Sequence, residues 1–108
     1  MLTERKDSTL KLHRHNKEII DAVISQLEKD VLLCGGDISL SEQSQTDLEL
    51  LKGEVQKYIS TISVSNPNLL FNLLYRIDIP QKMLETEELG TLILKRELAK
   101  VLIRLSYK

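Results

Sequence analysis

From Leu89 to Lys108 the apolar residues occupy too much of a helical circumference for one neighbour to cover. At about 100° per residue, Leu94, Leu98, Val101, Leu102 and Leu105 fall in one arc. Leu92, Ala99 and Ile103 fall in a second arc, separated from the first mainly by Lys95. Arg96, Glu97, Lys100 and Arg104 are left for the remaining face. A surface helix needs one apolar stripe, so a helix with two predicts at least two packed neighbours. Thr86 suits the N-cap, because its hydroxyl can accept an unpaired first-turn N–H. Glu87 and Glu88 then place negative charge at the positive end of the helix dipole. Gly90, inside the first turns, costs roughly 1 kcal/mol relative to Ala; it reads either as a close backbone approach or as a glycine tolerated near a helix end.

The remaining chain supplies the neighbours. Asn16 is placed to cap a helix running to about Leu33, with Ile20, Val23, Ile24, Leu27 and Val31 in one stripe and Glu18, Asp21, Glu28 and Asp30 on other faces. Gly35-Gly36 stops it. A second long helix is expected from about Leu40 to Ile62, introduced by a capping box of Ser39 and Glu42. Leu48, Leu51, Val55, Tyr58 and Ile62 form its seam, a spacing suited to near-antiparallel packing. Asn66-Pro67 is a helix start, with an Asn cap and Pro at the first helical position. The helix that follows is apolar on nearly every side, with only Asn72 and Arg76 marking a polar edge. Asp78-Ile79-Pro80 ends it and can cap a further turn over 81–85. The fold expected is all-α: one domain over residues 1–108, frayed at 1–8, forming an irregular four-helix bundle with three long helices and one short buried helix.

Composition agrees. Few Gly, two Pro and one Phe, with no Trp, favour helices over sheet. No run approaches the ~20 apolar residues of a membrane span. The charged N-terminus has no apolar core after it, so a secretory signal is not expected. The single cysteine, Cys34, leaves no intramolecular disulfide and makes the cytoplasm the expected compartment. It continues the stripe of the first helix and has no adjacent basic residue to lower its pKa, so it reads as a small core residue. The charges are unevenly spread. Residues 1–17 carry five Lys/Arg against two Asp/Glu, residues 18–54 two against nine, and residues 55–108 eight against five. Helices of opposite charge lying side by side account for this, as would a basic surface for a partner.

Chemistry is sparse. There is no Gly-rich phosphate loop, no Cys-x-x-Cys, no His-Glu-x-x-His and no Glu-x-x-His. Residues 8–15 read equally as a short strand or as the first turns of a helix. His13 and His15, in this basic segment, lack further ligands and read as solvated surface. No catalytic residue, metal or cofactor is assigned. Three candidate surfaces remain. Leu69, Leu70, Phe71, Leu73, Leu74 and Tyr75 form an apolar cluster that is either an inner plug or a homodimer interface. Tyr75, Arg76 and Asp78 form a polar group at a helix end; its Arg fork suits a carboxylate or phosphate, and the plainer reading pairs Arg76 with a carboxylate of this chain. Arg96, Lys100 and Arg104 form a basic stripe that would follow a nucleic-acid backbone, or else complement the acidic Glu18–Glu54 region. Tyr107 alone would offer base stacking there.

The block Asn66-Pro-Asn-Leu-Leu-Phe-Asn-Leu-Leu-Tyr-Arg-Ile-Asp-Ile-Pro, with Leu94-Lys-Arg-Glu-Leu-Ala-Lys-Val-Leu-Ile-Arg, resembles the C-terminal half of a family of small uncharacterised bacterial proteins. The resemblance covers roughly 40 residues. It implies a bacterial cytoplasmic protein and carries no catalytic residues with it. The expected function is protein–protein interaction, through a homodimer or another protein. The alternative is association with nucleic acid through the basic stripe; no membrane partner is expected.

Overall fold

The fold follows a computed structural model in which residues 10–79, 82 and 87–106 are described. Four helices carry it: α1 (Lys17–Leu33), α2 (Leu48–Ser65), α3 (Pro67–Ile77) and α4 (Leu89–Ser106). No strand occurs among the described residues. Three long helices and one short one make the expected all-α bundle.

Local punctuation sets most boundaries. The Asn16 side chain accepts from the Ile19 N–H, and the Asn66 side chain from the Leu69 N–H, each at 3.2 Å. Pro67 opens α3. Gly35 has φ 90°, and Gly36 N–H donates to the Val31 carbonyl at 2.9 Å while Gly35 N–H donates to Leu32. This is the Schellman closure, which needs a left-handed residue after the helix. At the end of α3 a non-glycine takes the same role: Asp78 has φ 68°, and Ile79 N–H reaches back to Leu74.

The second helix starts later than its pattern suggests. Residues 43–46 form a 3₁₀ turn, and α2 begins at Leu48 with Asp47 as its cap, accepting from the Glu49 N–H at 2.9 Å. The Ser39–Glu42 capping box does not form as expected. Ser41 instead accepts from the Ser44 N–H, and its own hydroxyl and N–H donate to Glu54 on α2. At the other end α2 runs on to Ser65, past the expected end near Ile62. Its buried face is Leu48, Leu51, Val55, Ile59 and Ile62, with Ile59 in the place expected for Tyr58. Of residues 8–15, 10–12 are helical and 13–15 form a turn, while 8 and 9 lie outside the described residues; Leu10 is buried and Leu12 exposed. The Leu48 N–H donates to the Arg14 carbonyl, tying this segment to the start of α2.

As expected of a helix with at least two neighbours, α4 packs against both α2 and α1 and touches α3, although Ile103 of the second arc is exposed. Leu92, Ile93, Leu94, Leu98 and Val101 are buried. The helix starts at Leu89; the Thr86 cap and, apart from residue 82, the turn over 81–85 lie outside the described residues. Gly90 meets the α2 backbone: a Cβ placed there would lie 2.5 Å from Gln56 Cα. The Gln56 side chain accepts from the Gly90 N–H at 2.6 Å. Cys34 is partly buried and packs against the core.

Candidate functional site

The helix α3 is not enclosed on most sides. Leu69, Leu70, Leu73 and Ile77 point into the core, and Leu74 is half-buried. Phe71 and Tyr75, one turn apart, stand outside at 68% and 89% exposed. They form an aromatic pair on the solvent side of the bundle, because i and i+4 share a helix face. The six-residue apolar cluster read from the sequence therefore splits into a core edge and an outer edge.

Tyr75, Arg76 and Asp78 do not converge. Tyr75 faces outward. Asp78 is exposed and lies 3.6 Å from an Arg96 Nη, while Arg96 Nε donates to the Ile77 carbonyl. Arg76 turns the other way and donates from Nε to Oδ1 of Asp30 at 2.9 Å. The plainer reading of Arg76, pairing with a carboxylate of this chain, is what the structure contains.

That carboxylate belongs to a buried polar cluster joining three helices. Asp30, on α1, is 2% exposed, not on an outer face as its sequence position suggests. Gln26 Nε2 also donates to it at 3.3 Å. Glu97, on α4, is 0% exposed, although its sequence position places it on the face of Arg96 and Lys100. Neither Glu97 oxygen has a hydrogen-bond donor while both carboxyls are ionised. Lys100 Nζ lies 3.6 Å from Glu97 and 3.9 Å from Asp30, beyond ordinary hydrogen-bond reach of either. Burial, reinforced by the hydrogen bond and charge of Asp30, pushes the Glu97 carboxyl up to about 8 against the pull of Lys100. Burial would raise Asp30 as well. Hydrogen bonds from Glu97, Gln26 and Arg76, with the charge of Lys100, instead bring it below its ordinary value. The two carboxyls are driven in opposite directions, as expected where one carries the proton and the other accepts it.

A retrospective signal existed for both acids. Glu97 is four residues after Ile93, three after Leu94 and four before Val101, so buried residues flank it on the helical wheel. Asp30 stands in the same relation to Leu27 and Cys34. A charge inside an apolar arc is paired in the fold or neutral.

The basic stripe is partly consumed by these contacts. Lys100 faces the acid pair and Arg96 faces the end of α3, while Arg104 is exposed on the last turn of α4. Among the described residues no group of three or more His, Cys, Asp or Glu is placed to hold a metal ion. Nor, among them, is any helix long and apolar enough to cross a membrane. An open groove runs between residues 39–41 and α2, lined by Leu40, Glu54, Lys57 and Tyr58. Comparison with family models, with curated proteins and with solved structures finds no match to this chain.

Proposed function

We propose that the protein is a non-enzymatic helical module acting through protein–protein contact, with the outer edge of α3 as the contact surface and a second copy of the chain as the simplest partner. The observation that carries this reading is the pairing of Phe71 and Tyr75 outside a helix whose other edge is fully used by the core. Exposed apolar residues scattered singly are ordinary; two aromatic rings one turn apart on one helix supply a compact anchor of the kind interfaces use. A helix face of this kind is self-complementary about a two-fold axis, which makes a homodimer the economical arrangement. Two aromatics from each copy bury on the order of 600–1,000 Å² in all, at the low end for specific complexes. A weak, reversible dimer is therefore expected. A bacterial cytoplasmic setting belongs to the same reading.

The nucleic-acid reading has less support, because Arg96 and Lys100 are engaged within the chain. Sedimentation velocity over a concentration series, at low and high salt, tests the proposal. Salt-insensitive association that disappears in a Phe71→Ser, Tyr75→Ser double variant supports it. A monomer at all concentrations removes the homodimer.

A further inference from the structure

We propose that Asp30 and Glu97 share one proton across the α1–α4 interface, and that release of this proton in mildly alkaline solution weakens the packing of α4 on α1. The proposal rests on geometry. Glu97 is fully enclosed, and among the described residues neither of its oxygens has a hydrogen-bond donor. Its acidic neighbour Asp30 is equally enclosed and already accepts from Arg76 and Gln26. A protonated Glu97 can donate to Asp30; an ionised Glu97 would place a second negative charge against it with no hydrogen bond in return.

The surroundings determine what happens on ionisation. From α3 comes Arg76, bound to Asp30. From α4 comes Lys100, whose ammonium lies 3.6 Å from Glu97 and is partly in solvent. From α1, Cys34 lies near Asp30 and Arg76, its thiol raised above the usual value chiefly by burial. The buried face of α2 is wholly apolar, with Leu48, Leu51, Val55, Ile59 and Ile62. Among the described residues, Lys100 is thus the cation placed to answer a negative Glu97. To form a true hydrogen bond it must leave its position between the two acids and move inward. A deprotonated pair therefore leaves a buried charge that is poorly compensated unless the Lys100 side chain draws closer to it.

The sign of the pH dependence follows. Glu97 holds its proton in the folded chain to about 8, against an ordinary value of 4.5. The folded state consequently binds more protons than the unfolded state between those values, and stability falls as pH rises through that window. Above it no further loss comes from this pair.

The test is chemical denaturation at a series of pH values from about 5 to about 8.5, where any contribution of Cys34 is common to the two proteins and cancels in their comparison. Wild type and Glu97→Gln are compared, the amide being shaped like the protonated acid. Over this range the folded-to-unfolded ratio of the wild type should fall by about a hundredfold or more relative to Glu97→Gln. Parallel profiles for the two proteins overturn the proposal. Should Glu97→Gln not fold, infrared spectroscopy of the wild type decides. A buried carboxylic-acid carbonyl band present near neutral pH and lost on alkaline titration supports a shared proton. Absence of that band at about pH 6 overturns it.

Discussion

Arg76 Nε lies 2.9 Å from Oδ1 of Asp30, joining the end of α3 to the last turn of α1 across 46 residues of sequence. Asp30 is enclosed by the fold while Arg76 remains half in solvent. The pair is thus unequal: the carboxylate depends on the guanidinium far more than the reverse.

Removing Arg76 leaves a buried acid without its charged hydrogen-bond donor. Arg76→Leu is expected to destabilise the fold by about 2–4 kcal/mol, since breaking a buried pair from one side costs more than the pair contributes net. Urea denaturation near neutral pH measures it. A loss no larger than that of an ordinary surface substitution, under ~0.5 kcal/mol, would mean that Gln26 and the proton on Glu97 suffice to hold Asp30.

A second ion pair governs the acid limb. Arg14 donates to Asp47 from Nε at 2.7 Å and from a terminal nitrogen at 3.0 Å. The Arg14 hydrogen bond, opposed by burial and helped by the Glu49 N–H, brings the Asp47 carboxyl down to about 2. A depressed folded pKa contributes stability that is present above the ordinary carboxylate value and lost as pH falls through the folded one. Because the Arg14 side chain is nearly half exposed, solvent screening keeps the worth of the pair small. Asp47→Asn keeps a capping oxygen for α2 but not the charge. The difference in stability between wild type and Asp47→Asn should shrink from about pH 4 to about pH 2. A difference that stays constant across that range would assign the role of Asp47 to capping alone.

The two glycines inside long helices should respond oppositely to the same change. Gly53 on α2 has open space where a Cβ would stand, so Gly53→Ala should stabilise by about 1 kcal/mol through helix propensity. Gly90→Ala would place a Cβ 2.5 Å from Gln56 Cα, on a backbone that cannot step aside as a side chain does. Its cost is expected to be about 1–3 kcal/mol, as for other overpacked sites. Thermal denaturation of the two single variants suffices. Two shifts of the same sign would contradict the close crossing of α2 and α4.

The outer edge of α3 predicts a separation of association from stability. Phe71→Ser with Tyr75→Ser should change the unfolding free energy of the monomer by no more than about 0.5 kcal/mol per site, because both side chains are solvated. The same variant should lose self-association. A large loss of stability with unchanged sedimentation would show that the two rings serve the core.

The number and class of helices were legible in the sequence, and so were several of their ends. Asn16, Gly35, Asn66 and Pro67 act on backbone groups within four residues of themselves, so their meaning survives without the fold. The stripe of α1 was legible for the same reason: Ile20, Val23, Ile24, Leu27 and Val31 are all buried. The late start of α2 was not, because Ser41 and Glu54 meet only once the connection folds back on the helix.

The polar cluster belongs wholly to the tertiary structure. Periodicity reports which face a residue occupies, to within the width of a stripe. It does not report that the stripes of α1 and α4 meet edge to edge with an acid on each. Asp30 and Glu97 are separated by most of the chain, and their charge state depends on desolvation and on donors from α3, none of which is local. For the same reason Gly90 had two readings until the crossing of α2 and α4 selected the close approach. By itself, the sequence determined which segments coil and which faces are apolar, since backbone and nearest-neighbour sterics decide those. The tertiary structure decided which charges are buried together and which aromatic rings remain outside, since that depends on how helices remote in sequence cross.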